Sequence, residues 1–155
     1  MHLLVPLLLA VMPQGATGAP PIKACAVLTK EVLAQTTPLE KQGFDLVMRV
    51  PPDEDVFGTR GSACHYGTVT LQIDPFLPAT VERARATSKT PYTPVAGVGD
   101  SAYFHDNRGT YAELFVIFGG SRVLTIQMSV PMGKTAAALQ PNVIALAKAV
   151  LPKLK

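Results

Sequence analysis

The chain has 155 residues, the length of one domain, and its 48% share of apolar residues is typical of a globular protein. Charged residues make up 16%, and a composition with many apolar and few charged residues excludes an intrinsically disordered chain. The net charge of +3 is too small to indicate a nucleic-acid-binding protein, so no nucleic acid partner is expected.

The first feature along the chain is an uncharged apolar segment from Leu3 to Met12. It is too short for a membrane span, which needs ~20 apolar residues, and it has the length of a signal-peptide core. Ala16 and Gly18 then supply small residues at the two positions that signal peptidase reads. The alternative is a buried N-terminal strand. The predicted division is a signal peptide, a flexible tail and a single domain, over residues 1–18, 19–23 and 24–155.

The chain contains two cysteines, Cys25 and Cys64. An exported chain with two cysteines usually pairs them, because its compartment is oxidising. The chain-entropy model gives a cross-link of this span roughly 4 kcal/mol of stabilisation. The alternative is a pair of redox or metal-binding thiols, which normally lie much closer together in sequence. We predict a structural disulfide that ties the first helix to a central strand.

The first half of the domain predicts two helices and two strands. Cys25, Leu28 and Val32 lie at helical spacing, and Thr29 offers an alternative N-cap with a turn before it. An apolar run, a Pro- and acid-rich loop and an alternating segment follow. The predicted helix, strand, loop, strand and helix cover residues 24–34, 44–50, 51–62, 64–73 and 79–88.

The second half predicts a meander of three strands and a last helix. Leu124, Ile126 and Met128 alternate with polar residues, which indicates a half-buried strand. Pro141 either begins the main part of the last helix or kinks it. The order α-β-β-α-β-β-β-α predicts an α+β fold: a single antiparallel sheet of about five strands, with three helices mainly on one face. The strands and the helix are predicted over residues 101–105, 111–118, 123–130 and 135–151.

The segment from Gly97 to Ala102 matches the dinucleotide fingerprint G-x-G-x-x-A. That site needs a helix after the glycines, whereas a strand is predicted here, so we interpret the glycines as a turn. Gly99-Asp100-Ser101 also resembles the nucleophile block of a lipase-esterase family. His105 is the last histidine, and a base four residues along the same strand cannot readily turn back onto Ser101.

A metal site would draw on the two histidines of the mature chain and on nearby methionines. His65 and His105 with thioethers would suit copper in an oxidising compartment, although no pair has helical ligand spacing. The preferred interpretation places His65 on a strand face beside the disulfide and His105 exposed at a turn. The residues considered are His65, His105, Asp106, Met128 and Met132.

Three short motifs occur in the order Cys25-Ala-Val-Leu-Thr29, Cys64-His-Tyr66 and Gly97-Val-Gly-Asp100-Ser-Ala-Tyr103. This order resembles a family of bacterial exported proteins and lipoproteins of unknown function, common in actinobacteria. The resemblance spans about residues 23–151 and implies the disulfide and the α+β sheet. The chain departs from the lipoprotein members because it has no lipobox. By analogy with extracellular sensor domains of kinases, the resemblance favours binding over catalysis.

Together these observations predict a non-catalytic protein, periplasmic or secreted, that binds a small ligand or an envelope protein. No cofactor, catalytic residue or stable membrane anchor is expected. Two alternatives stay open: a hydrolase that uses Ser101, Asp100 and a histidine, and a copper-binding protein that uses His65, His105 and a methionine.

Overall fold

The computed structural model describes residues 21–37, 39–58 and 60–155. The predicted signal peptide, and the first two residues of the predicted tail, lie outside them. The helices are α1 (Ala24–Val27), α2 (Lys30–Thr36), α3 (Lys41–Val47), α4 (Pro78–Thr87), α5 (Ala136–Val150) and a 3₁₀ helix (Leu151–Leu154). The strands are β1 (Asp53–Phe57), β2 (Gly61–Tyr66), β3 (Val69–Ile73), β4 (Tyr92–Pro94), β5 (Ser101–Asn107), β6 (Tyr111–Phe118) and β7 (Arg122–Ser129).

The strands form one antiparallel sheet in the order β1-β2-β3-β7-β6-β5-β4. Two meanders, β1 to β3 and β4 to β7, meet where β3 pairs with β7, and α4 lies in the connection between them. The prediction of an α+β fold with one antiparallel sheet is confirmed. The predicted counts are wrong, because the described sheet has 7 strands and the described chain has five α-helices.

The two faces of the sheet differ in what covers them. One face, called the helix face, packs Leu71, Leu114 and Ile126 against α5 and the first three helices. The other face, called the α4 face, carries a smaller apolar cluster in which Val81 of α4 packs against Phe115 and its neighbours. The alternation of strand side chains separates these sets, since successive residues point to opposite faces.

A disulfide joins Cys25 of α1 to Cys64 of β2, with their Cα atoms 4.9 Å apart, as predicted. Hydrogen bonds hold α1 to the same part of the sheet. The backbone N–H of Ala24 donates to Ser62 Oγ at 2.6 Å, and the backbone N–H of Cys25 donates to Glu54 Oε1 at 3.1 Å. The disulfide therefore joins α1 to the sheet at a place where hydrogen bonds also hold the helix.

The N-terminal part of the predicted element pattern needs correction. The first helix is divided, and Thr29 Oγ1 accepts a hydrogen bond from the backbone N–H of Val32, which confirms the alternative N-cap. The predicted strand over 44–50 is wrong, because α3 occupies most of it: Phe44 and the C-cap residue Met48 are buried one turn apart, and Leu46 is 63% exposed. The predicted loop over 51–62 contains β1 and the start of β2. The single strand predicted over 64–73 is also wrong: the chain turns at Gly67, whose φ is +60°, and β2 and β3 pair as a hairpin.

Two later elements also differ from the prediction. Strand β4 was not predicted, because its three residues are too few to show an alternating pattern. Pro141 lies inside α5, which begins at Ala136, so the proline does not start the helix. The predicted strands over 101–105 and 111–118 correspond to β5 and β6, which pair as an antiparallel hairpin. Strand β5 extends two residues beyond its predicted end.

The glycine segment that matches the dinucleotide fingerprint forms a turn into β5, as interpreted from the sequence. Gly97 and Gly99 have φ of +73° and +60°. A Cβ atom at Gly99 would lie 2.5 Å from the carbonyl oxygen of Ile117, whereas a Cβ at Gly97 would meet nothing within 4 Å. The turn thus needs glycine at 99 for both conformation and close approach to β6.

We predict that Gly99→Ala lowers the free energy of unfolding by more than about 3 kcal/mol, because the methyl group collides with backbone that cannot move cheaply. The matched control, Gly97→Ala, should cost only about 1–2 kcal/mol, the cost of left-handed backbone alone. Urea unfolding of both variants measures the difference. Equal losses would show that the close approach at Gly99 does not matter.

Candidate functional site

One row of cross-strand pairs traverses the α4 face of the sheet from edge to edge. Its members follow from the strand register, in which each residue is paired directly with the next. In order across the sheet they are Asp53, His65, Thr70, Gln127, Glu113, His105 and Tyr92. Polar and titratable side chains thus lie next to one another on the α4 face.

Glu113 and His105, which are neighbours in this row, form a buried hydrogen-bonded pair. Glu113 is 4% exposed and His105 8% exposed, and His105 Nδ1 lies 2.7 Å from Glu113 Oε2. The other carboxylate oxygen, Oε1, accepts hydrogen bonds from Gln127 Nε2 at 2.6 Å and Asn107 Nδ2 at 3.1 Å. Both carboxylate oxygens therefore have partners, which offsets the cost of burying the group.

The far side of the imidazole contacts a hydroxyl and an aromatic ring. Thr90 Oγ1, from the segment between α4 and β4, lies 2.6 Å from His105 Nε2. The Tyr92 ring stacks on the imidazole with 4.3 Å between ring centroids. Burial, and then the negative charge of Glu113, raise the pKa of the Tyr92 phenol. The imidazole of His105 therefore has a hydrogen-bond partner at each nitrogen and an aromatic ring stacked on one face.

The interpretation that His105 is exposed at a turn is wrong. Because β5 continues to Asn107, His105 lies inside the strand and points to the α4 face, where Glu113 is its direct cross-strand partner. Sequence reasoning also missed Glu113 and Thr90. The available signal was the single carboxylate within the otherwise apolar segment 111–118, since an unpaired carboxylate is too costly to bury.

His65 lies at the exposed end of the row. Its Nδ1 is 3.0 Å from Thr70 Oγ1, and its Nε2 is 3.6 Å from Asp55 Oδ2, in a pair whose side chains are 47% and 66% exposed. Four inter-strand steps separate His65 from His105, which corresponds to about 19 Å. One metal ion cannot contact both histidines at that separation.

The methionines do not complete a copper site with these histidines. Met128 is buried on the helix face, in the apolar core, so the sheet separates it from the row on the α4 face. Met132 is fully exposed beyond the end of β7. The described residues contain no group of three or more His, Cys, Asp or Glu side chains placed to hold a metal ion.

Ser101 does not meet a histidine. It lies at the start of β5 opposite Ile117, four residues from His105 along an extended strand, or about 13 Å. Asp100 is occupied elsewhere, because its Oδ2 accepts a hydrogen bond from the backbone N–H of Gly120 at 2.8 Å. The structure therefore does not bring together the three groups that the hydrolase alternative needs at Ser101.

A separate cleft of about 650 Å³ opens beside the glycine turn. Its walls are this turn, the hairpin between β6 and β7, the end of α5 and the 3₁₀ helix. It is lined by residues 97–100, Phe118, Gly119, Arg122, Lys148, Leu151, Pro152, Leu154 and Lys155. The glycine segment noticed in the sequence thus forms part of a cavity of the size that small ligands occupy.

Arg122 holds the 3₁₀ helix against the sheet at this cleft. Its guanidinium donates to Asp74 Oδ2 at 2.8 and 3.0 Å and to the carbonyl oxygen of Leu154 at 2.9 Å. The same group lies over the Phe118 ring, 4.9 Å from its centroid. Arg122 is therefore a structural clamp whose charge is largely neutralised by Asp74.

No protein-family model, curated protein or solved structure matches this chain. The resemblance to exported bacterial proteins therefore stays a prediction, and functional inference depends on the geometry of the cleft and of the polar row.

We predict that Glu113→Ala lowers the free energy of unfolding by about 3 kcal/mol or more, since it leaves buried partners of the carboxylate unsatisfied. The matched control is Asp55→Ala, which breaks the exposed pair with His65 and should cost less than about 1 kcal/mol. Urea unfolding at neutral pH measures both. A loss at Glu113 no larger than that at Asp55 would contradict the assigned burial.

Proposed function

We propose that this chain is an exported binding protein, periplasmic or secreted, that holds a small amphipathic anion in the cleft beside the glycine turn. The single observation that carries the proposal is a cleft with an apolar floor and a cationic rim. The role proposed for the cleft is binding without catalysis, because no hydroxyl, thiol or imidazole is among its described lining residues.

The floor of the cleft favours an apolar ligand body. Val98 and Leu154 are both 2% exposed, Phe118 is 8% exposed, and these side chains lie beside the uncovered backbone of the glycine turn. A volume of about 650 Å³ lies within the range of small-molecule sites, which are mostly apolar with a few placed polar groups. An apolar chain or ring lying on this floor would lose contact with water.

The rim of the cleft favours a negative head group. Lys148 and Lys155 are exposed, and neither forms an ion pair with any residue in the described part of the chain. Arg122 is already paired, and the Asp100 carboxylate accepts from a turn. Two uncommitted ammonium groups above an apolar floor are complementary to a molecule with an apolar body and a carboxylate, sulfonate or phosphate head.

Export is supported by two observations of different kinds. The disulfide between Cys25 and Cys64 is typical of oxidising compartments. The apolar segment Leu3–Met12 and the small residues after it have the pattern of a signal peptide. Among the helices that the structure describes, none is both long enough and apolar enough to cross a bilayer. An association with the cell envelope, through a ligand or a protein partner, is part of the proposal.

For the cleft, we predict that dodecanoate displaces the fluorescent sulfonate 8-anilinonaphthalene-1-sulfonate more strongly than dodecanol or dodecyltrimethylammonium does. Lys148→Gln should weaken dodecanoate binding about two- to fivefold, the effect of one exposed charge, and 0.5 M salt should weaken it similarly. Lys89→Gln, an exposed lysine outside the cleft, is the matched control and should leave the affinity unchanged.

Mapping of the bound probe by ¹H–¹⁵N NMR gives the location independently of affinity. Shifts should concentrate at Gly97–Asp100 and Gly119. The proposal fails if the three amphiphiles bind equally, if Lys89→Gln matches Lys148→Gln, or if the shifts lie at the exposed apolar residues of another surface, such as Leu46 and Val50.

For export, we predict that the protein recovered from the exported fraction of a bacterial host begins at Ala19 by intact mass. Ala16→Arg places a charged residue where signal peptidase requires a small one, so this variant should keep its leader. An uncleaved wild-type chain that stays inside the cell would contradict the proposed localisation.

A further inference from the structure

Three side chains on the α4 face stand in the order hydroxyl, imidazole, carboxylate. Thr90 Oγ1 is 2.6 Å from His105 Nε2, and His105 Nδ1 is 2.7 Å from Glu113 Oε2. Both distances lie within the range at which a nucleophile, its general base and the group that orients the base are hydrogen-bonded. Such a set is recognised by geometry and roles, and not by the order of its members along the chain.

The bonding pattern fixes which imidazole nitrogen can accept a proton. An ionised carboxylate only accepts hydrogen bonds, so Glu113 binds the N–H form of His105 Nδ1. In a neutral imidazole the lone pair then lies on Nε2, which faces the Thr90 hydroxyl. Gln127 and Asn107 hold the second carboxylate oxygen, so the carboxylate cannot readily turn away from the ring.

The hydroxyl lies at the accessible end of this buried set. His105 and Glu113 are buried, whereas Thr90 is half-buried and lies in the connection between α4 and β4. The Ser88 hydroxyl lies 3.2 Å from both the backbone nitrogen and the side-chain oxygen of Thr90 and so holds the threonine in place. A reagent from solvent can therefore approach the threonine without entering the core.

A small apolar pocket adjoins the set through a shared residue. Tyr92, which stacks on His105, also lines a pocket of about 200 Å³ between α4 and the sheet, together with Phe76, Val81 and Phe115. This volume is below the usual range for drug-sized ligands and suits only a short acyl group. The pocket therefore suggests both the class of the substrate and the direction from which it enters.

We propose that Thr90, His105 and Glu113 form a nucleophilic site that hydrolyses small carboxylic esters with short acyl chains. Thr90 Oγ attacks the carbonyl carbon, and its proton passes to His105 Nε2. The bond from the carbonyl carbon to the alcohol oxygen breaks, and the leaving alcohol takes the proton from Nε2. Water, deprotonated by the same nitrogen, then attacks the acyl-threonine and releases the carboxylic acid and the free hydroxyl.

This activity is independent of ligand binding in the cleft, because the two sites share no residue. It also differs from the hydrolase alternative considered from the sequence, in which Ser101 was the nucleophile. His105 serves in both hypotheses, but the structure places it against Thr90 and far from Ser101.

The test combines a covalent probe with an ester substrate, using the full disulfide-bonded protein. A fluorophosphonate should add one adduct per chain, with loss of fluoride, and peptide mapping should place the adduct on Thr90. Thr90→Val, which replaces the hydroxyl with a methyl group, should abolish the adduct and lower p-nitrophenyl acetate hydrolysis by about a hundredfold or more. Thr90→Ser should restore both signals at least in part.

Two further variants distinguish catalysis from a structural role. Ser101→Ala, which removes a hydroxyl from the same strand as His105 but outside the proposed site, should keep the adduct on Thr90. Glu113→Gln, a positioning variant, should slow labelling of protein that circular dichroism shows to be folded, whereas a purely structural role would lower only the melting temperature. The proposal is overturned if no adduct forms, if it maps to another residue, or if Thr90→Val hydrolyses the ester at the wild-type rate.

Discussion

The register of β6 is the constraint on which both sites depend, because this strand is buried on both faces from Ala112 to Phe118. Leu114 and Val116 contact the helices, while Glu113 and Phe115 point to the α4 face. A slip of one residue would place the carboxylate in the apolar core and a leucine among the polar partners. The same strand supplies Phe118 to the cleft, so its pairing determines the polar row and the cavity together.

The parts of the fold that were predictable from sequence are those with a clear local pattern. The period of apolar residues predicts β7 and the long last helix, and the cysteine count predicts the disulfide. The failures have physical causes. A short apolar run such as 44–50 fits helix or strand equally well, and β1 carries Asp53, Glu54 and Asp55, which have low strand propensity.

The polar row could be predicted only in part. Once the hairpin of β5 and β6 is accepted, its register pairs His105 with Glu113, and the single acid in an apolar strand indicates a buried partner. Thr90 carries no such signal, since it lies in an irregular connection and reaches His105 only through tertiary packing. The cleft was equally hidden, because its walls come from three separate stretches of the sequence that meet only in the folded chain.

The two outer strands of the sheet determine how the protein meets copies of itself. An outer strand normally offers free N–H and C=O groups to a strand from another molecule. One edge strand, β1, carries three consecutive carboxylates, which repel the same strand of another copy. The other edge strand, β4, has only three residues and ends in Pro94, which has no N–H to donate. Growth by strand addition, the usual route from a sheet protein to a fibril, is therefore disfavoured at both ends of this sheet.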